Sequence, residues 1–325
     1  MGIGKYTDLS IYQDYFHTGM IEAIAQALTG FNEATLNTLT LTQQSRLGHY
    51  AYTSMFNRLA TITNRRDISS VSAQTPTTLT NVDHITVKLN RKIKEIRMTE
   101  DAWKKQGKNP EEMVTALGVM AGKDRMQEYL NTSISALVGA LSNQSSTNYV
   151  SVCATGAGTM TATNLNTGFR LYGDAASGIR FLVMHSKPYY DLVAQAISDK
   201  VYGEVGNVIY GAAPGTFGRP VLVTDSSDLV TTDGTNDAYY TLGLTEGAAN
   251  LEESEDDSVL IERVGGLENI TIRFQGEYAY NIGLKGFQWD VANGGINPSS
   301  VATGSLWDMI ATSYKNLGGV VIKSL

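Results

Sequence analysis

Asn109, Pro110, Glu111 and Glu112 open the most tightly specified element in this sequence of 325 residues. Asn is a favoured helix N-cap because its side-chain oxygen accepts one of the backbone N–H groups that the first turn leaves unpaired. Pro is preorganised for the first helical position, and Glu112 stands where it closes a capping box. Apolar residues follow at Met113, Leu117 and Met120, then at Leu130, Ile134, Leu137 and Leu141 with the three- and four-residue spacing of one helical face. One helix of about 30 residues, roughly 45 Å long, accounts for both sets. Gly118, Gly122 and Gly139 weaken it by up to about 1 kcal/mol each relative to Ala and leave room for a bend.

Before this helix the texture is different. Met20, Ile24 and Leu28 lie one helical turn apart in a helix-like stretch from Gly19, and the Thr- and Asn-rich remainder of residues 1–60 reads as an extended arm that needs a surface to lie on, or as an ordinary N-terminal subdomain. From Asp67 to Thr99 the period becomes two, clearest at Ile85, Val87 and Leu89, which predicts one half of a long hairpin whose return includes Ile93 to Met98. Its polar positions are basic: Lys88, Arg91, Lys92, Lys94 and Arg97. Such a run is either a solvated face that protects a strand edge or a surface that docks on an acidic partner.

Beyond the long helix, short apolar runs at Ile179–Met184, Pro220–Thr224 and Tyr239–Leu244 predict strands, with a helix from Tyr189 to about Ser198 between the first two. Alternation resumes from Ile270 to Trp289, with Gly283 and Gly286 as candidate bulges, and the chain is expected to close with a helix around Leu306 to Tyr314 and a strand at Val320–Ile322. Strands and helices mixed in this order give an α+β fold with a small central sheet.

Composition excludes more than it suggests. With 42% hydrophobic residues the chain buries a core, as one large domain or two ordinary ones, and its net charge of −7 argues against wrapping nucleic acid. No apolar run approaches the ~18 residues that cross a bilayer, so no membrane partner is expected. Cys153 is the single cysteine, as suits a cytosolic place of synthesis, and His17, His49, His84 and His185 are scattered without metal-ligand spacing. Gly156-Ala157-Gly158 lacks the rest of a dinucleotide fingerprint, and Gly211 to Gly218 lacks the Lys-Ser/Thr of a phosphate loop. No catalytic residue, metal or cofactor is therefore expected. Glu252, Glu253, Glu255, Asp256 and Asp257 form the one dense acidic patch, either an exposed loop or a surface for a basic neighbour. Seventeen tyrosines against eight phenylalanines favour interfaces over deep cores.

The order of polar arm, basic hairpin, long capped helix, compact sheet domain, long returning strand and short final strand resembles the major capsid proteins of tailed bacteriophages, whose fold is shared with the herpesvirus capsid floor. The strings FLVMHSKPYYDLVA (Phe181–Ala194), FGRPVLVTDSSD (Phe217–Asp228) and GLKGFQWD (Gly283–Asp290) are similar to segments of that family. The resemblance implies an N-terminal arm at 1–60, an extended β-hairpin loop at 61–108, a peripheral domain with a spine helix at 109–164 and 267–292, and an axial domain at 165–266 and 293–325. It also implies a non-enzymatic subunit that assembles in the host cytoplasm, as hexamers and pentamers, into an icosahedral virion shell around double-stranded DNA. The basic and acidic positions above then become candidates for contacts between subunits. Partners implied are copies of itself, a portal, a decoration protein and, because the sequence opens at Met1, a separate scaffolding protein. No residue matches the lysine–asparagine crosslink of one family branch. An encapsulin-like compartment enclosing cargo is the alternative, and a polysaccharide-binding or hydrolysing protein a third.

Overall fold

The computed structural model describes residues 14–24, 32–33, 35–43, 48–56, 81–99, 101–102, 110–145, 147–153, 158–201, 216–254, 258–265 and 268–325, with short pieces between 66 and 78. Its axis is helix α2, Pro110–Ser142, 33 residues long. Asn109, the expected cap, lies outside the described residues. The helix is buried in two ways. Val114, Gly118, Gly122 and Arg125 form a single inward stripe along its first half, whereas Ser133, Ile134, Ala136, Leu137, Val138, Ala140 and Leu141 are buried on almost every side. A helix that is apolar all round must run through a core.

Helix α1 (residues 14–24) crosses the first half of α2. It begins earlier than the Gly19 start expected, and Leu28 is outside the described residues. Phe16, Met20 and Ile24 are buried at four-residue spacing, and the Phe16 ring lies 4.3 Å from that of Phe274. The two helices touch backbone to backbone at Gly118, where a Cβ would stand 2.5 Å from the Phe16 carbonyl oxygen. Close approach, and not bending, is what this glycine provides.

Two sheets flank α2. The first contains β1 (Leu39–Gln43), β2 (Tyr50–Phe56), β3 (Asn81–Thr99), β9 (Ala249–Glu253), β10 (Ser258–Val264) and β11 (Thr271–Leu284) in the order β1-β9-β11-β3-β2, with β10 also on β11. The second contains β4 (Tyr149–Ser151), β5 (Ile179–Met184), β6 (Val221–Val223), β7 (Val230–Asp233), β8 (Asn236–Thr245) and β14 (Gly319–Ser324) in the order β4-β14-β8-β5-β6, with β7 on β8. Leu39, Val87, Leu251 and Ile282 of the first sheet and Phe181, Val183, Leu242 and Val321 of the second share one core with Ile134, Leu137 and Leu141 of α2.

Several expectations change here. Ile93–Met98 is not the return of a hairpin but the continuation of β3, a single strand of 19 residues. The hairpin arms are β2 and the start of β3, paired from Phe56 opposite Asn81 to Tyr50 opposite Val87. No turn residue pair interrupts 91–98, and the break in alternation between Ile93 and Ile96 is a β-bulge, which places two residues of β3 against one of β11. Leu39–Gln43, within the segment read as an arm, pairs in parallel with Ala249–Glu253, so this part of it lies on the chain's own sheet. Ala249–Glu253 and Ser258–Val264, expected with the axial portion, pair with β11 in the first sheet. Gly283 is no bulge: it pairs regularly with Asn250, and a Cβ there would meet the Thr86 methyl at 2.6 Å. Gly286, at φ 82°, makes the turn into β12 (Phe287–Trp289).

The expected C-terminal helix is absent from 306–314. Trp307–Met309 is strand β13, paired with β12, and the Gly286 carbonyl accepts the N–H groups of Ile310 and Ala311. The Trp307 indole donates to the Val301 carbonyl at 3.0 Å and its ring meets Trp289 edge to face, contacts that a continued helix would forfeit. Conversely, helix α3 (Ala162–Leu171) has no counterpart among the elements expected from the sequence. Its N-cap is Thr161, whose hydroxyl accepts the Asn164 N–H at 3.1 Å, and Leu165 and Phe169 pack against Val320 and Ile322. Thr161→Ala is expected to cost about 1 kcal/mol, read as a lowered urea midpoint of the dissociated subunit with an unchanged slope.

Candidate assembly surface

The five basic positions of β3 separate by strand alternation into two environments. Lys88 is only 3% exposed and lies in a row across the first sheet in which Thr42, Glu252, Asn281 and Lys88 occupy successive strands. Arg91 points to the other side and meets α2, where its Nε lies 2.9 Å from a Glu128 carboxylate oxygen. Lys92 and Lys94 are exposed. Arg97 is exposed too and holds Glu95 at 2.5 Å.

Of the acidic positions, Glu252 and Glu253 lie on the same sheet. Glu252 is buried in the row with Lys88, while Glu253 faces α2 and pairs with Arg125 at 3.2 Å. Glu255, Asp256 and Asp257 lie outside the described residues. The residues that flank them are nevertheless placed: the Ser254 N–H donates to the Ala279 carbonyl, and Ser258 stands opposite Glu277, which in turn stands opposite Lys92. The basic run therefore has Glu252 and Glu253, and the described residues that flank the rest of the patch, as neighbours across β11 within one chain.

Between α2 and this sheet lies a polar layer that the sequence reading missed. Arg125, 4% exposed, lies over the Tyr278 ring at 4.5 Å and bonds the Tyr129 hydroxyl. Burial, foremost, pushes the Tyr129 hydroxyl far above the usual tyrosine range, so it stays protonated and donates to Glu253 at 3.1 Å. The Tyr280 and Thr132 hydroxyls share a bond of 2.8 Å. The sequence signal was present: Arg125 falls on the inward stripe after Val114, Gly118 and Gly122, where only a paired charge is tolerable.

Beside this layer opens a groove of about 900 Å³ lined by His49, Lys88, Asn90, Lys92, Glu277 and Tyr278 among others. It mixes both charge signs, and among the described residues that line it no nucleophile is paired with a base. A Ser–His–Asp set does occur elsewhere, with the Ser186 hydroxyl 3.3 Å from His185 Nδ1 and His185 Nε2 3.5 Å from Asp225. Its geometry is that of a cap. His185 Nδ1 also accepts the Lys187 N–H and Asp225 accepts the Ser186 N–H, so both side chains serve the start of helix α4 (Ser186–Val201). Among the described residues no His, Cys, Asp and Glu cluster has metal-binding geometry, and no helix is long and apolar enough to cross a membrane.

Residues 8–321 match the family described as Gp13-like, major capsid protein 13-like. The chain belongs to this family of major capsid proteins. Its fold is similar to the capsid asymmetric unit of cyanophage Pam1, at 12% identity over 87% of this chain and 88% of that chain with a TM-score of 0.52. It is also similar to the chain from Microbacterium phage Oxtober96, at 12% identity, 77% and 84% coverage and a TM-score of 0.54. The capsid of Ralstonia phage GP4 gives 9% identity, 88% and 87% coverage and a TM-score of 0.52. No curated protein matches the sequence. Membership of a major capsid protein family gives the chain a structural function in the virion shell and removes the support for a cargo compartment or a carbohydrate-active protein.

Proposed function

We propose that this chain is the subunit of an icosahedral shell, arranged as hexamers and pentamers, that encloses the double-stranded DNA of a tailed phage. The observation that carries this reading is the family match over residues 8–321. The physical character of the chain supports it. A net charge of −7 lets a shell lining enclose DNA without binding it tightly. Ile68 and Val71, 90% and 103% exposed between β2 and β3, are apolar groups that gain from burial against a neighbour, as expected of the loop at 61–108. The arm spans 1–60, the peripheral domain 109–164 and 267–292, and the axial domain 165–266 and 293–325, except that β9 and β10 join the first sheet. Assembly takes place in the host cytoplasm with a separate scaffolding protein, a portal and a decoration protein as partners.

Among the charged candidates, Lys92, Lys94 and Arg97 carry the contact to a neighbouring subunit, whereas Lys88, Arg91, Glu252 and Glu253 stabilise the subunit itself. Replacing Lys92 and Lys94 together by Glu is expected to abolish particles on sucrose gradients while the dissociated subunit keeps its thermal unfolding profile. The shell reading itself is tested by nuclease treatment of lysates from infected cells: protected DNA sediments with this chain. A chain that sediments only as free subunits contradicts it.

A further inference from the structure

Asn293 and Gly294 form the one Asn-Gly pair in the sequence, and Asn293 is exposed to water. Glycine after asparagine leaves the next amide nitrogen unscreened by a Cβ and its backbone free to turn, which favours attack of that nitrogen on the asparagine side chain. Packing explains why glycine stands here. A Cβ at Gly294 would lie 2.4 Å from the Trp289 ring. That ring is fully buried, donates its indole N–H to the Gly295 carbonyl at 3.3 Å and meets Trp307 edge to face, so it has nowhere to move.

The same residues are held in a conformation that resists this reaction. Val291–Gly294 is a single helical turn, α5, with Asp290 as its N-cap. One Asp290 carboxylate oxygen accepts the Ala292 and Asn293 N–H groups at 2.9 and 3.2 Å, and the other accepts the Asn293 side-chain amide. The Gly294 N–H, whose nitrogen is the nucleophile of the reaction, donates to the Asp290 carbonyl at 2.8 Å. Closing a five-membered ring between the Gly294 nitrogen and Asn293 Cγ requires the Asn293 ψ to leave its helical value and this hydrogen bond to break. The Asp290 carboxyl is held below the usual carboxylate range, foremost by the bond from the Asn293 amide, so the cap stays charged at neutral pH. One turn of helix is marginal by itself, and its opening sets how often the reactive geometry is reached.

We propose that Asn293 is a site of spontaneous deamidation and that the Asp290 cap sets its rate. When the turn opens, the Gly294 nitrogen attacks Asn293 Cγ. The new N–Cγ bond forms as the Cγ–Nδ2 bond breaks, and Nδ2 leaves as ammonia with the proton that the Gly294 nitrogen gives up. Water then opens the succinimide at either carbonyl. Attack at Cγ leaves aspartate in an unchanged main chain, and attack at the main-chain carbonyl leaves isoaspartate, with the chain routed through Cγ. Either product sets a carboxylate where an amide had bonded Asp290, and two carboxylates in contact repel, so the turn stays open. The loosening is expected to reach the first sheet, because Asn297 in the following loop accepts the Asn90 N–H at 2.9 Å. The reaction needs only this chain and water, so it does not depend on the shell reading.

Peptide mapping by mass spectrometry, in mildly alkaline buffer at physiological temperature, follows the conversion of Asn293. The urea-unfolded wild-type chain is expected to convert at Asn293 before any other asparagine, and the folded full-length chain at least about tenfold more slowly. Asp290→Ala removes the cap and should raise the folded rate about fivefold while leaving the unfolded rate unchanged. Equal rates in folded and unfolded wild type, or a folded D290A rate no higher than wild type, would overturn the proposal. Asn293→Asp supplies the product charge directly and should speed amide exchange at Gly294 and Asn90 at least about fivefold. Unchanged exchange at both amides would overturn the consequence assigned to the product.

Discussion

Gly139→Val subunits are expected to be recovered as aggregate, and Gly139→Ala subunits to unfold at a lower denaturant midpoint than wild type. On helix propensity alone alanine should stabilise α2 by up to about 1 kcal/mol. The packing reverses the sign. A Cβ at Gly139 would stand 2.1 Å from the Ala302 carbonyl oxygen, and one at Gly304 would stand 2.2 Å from the Gly139 carbonyl oxygen. Helix and loop touch main chain to main chain, and the loop has no room to retreat. Val301 and Trp307 are buried behind it, and the Trp307 indole is held by the Val301 carbonyl. Overpacking of this kind costs about 1–3 kcal/mol for a methyl group and more for a branched side chain. Gly178→Ala is the control, because a Cβ there meets nothing within 4 Å. Urea unfolding of the dissociated wild-type, Gly139→Ala and Gly178→Ala subunits gives the comparison, and a Gly139→Ala midpoint above wild type would contradict the packing.

The second large effect is expected at Arg125. Arg125→Met keeps most of the side-chain volume and leaves the Glu253 carboxylate, 13% exposed, without its guanidinium. Breaking one side of a buried ion pair costs about 3–5 kcal/mol, because the remaining charge stays desolvated. Glu253→Gln is milder, since the amide still accepts from the Tyr129 hydroxyl but leaves the Arg125 charge unbalanced. The double variant should recover a large part of the Arg125→Met loss, and the coupling from the full cycle is expected at about 2 kcal/mol. Additive losses would show that the two side chains do not act as a pair.

The elements read correctly from the sequence are those whose pattern is local. Phe181–Met184 is a continuous apolar run because both faces of this part of β5 are covered, and the spacing of Ile134, Leu137 and Leu141 survives because that half of α2 lies in the core. The errors have a common origin in partners distant in sequence. β1 and β9 each span five residues, and their parallel pairing joins Leu39 to Ala249 across a separation no local pattern records. Trp307 sits at a spacing that suits a helix, and only its meeting with Trp289 makes it a strand. The phase slip between Ile93 and Ile96 was visible in the sequence, but a turn and a bulge leave the same trace there. The charged candidates were found because charge runs are conspicuous. Their roles were not legible, because alternation buries Lys88, turns Arg91 to Glu128 and leaves Lys92 outside, and that division depends on which strands cover β3.

Cryo-electron microscopy of particles from infected cells tests the central claim most directly. The account predicts closed icosahedral shells built from this chain, with the two sheets and α2 recognisable in every subunit around both five-fold and six-fold positions. Shells built from a different protein, with this chain missing from the lattice, would contradict it.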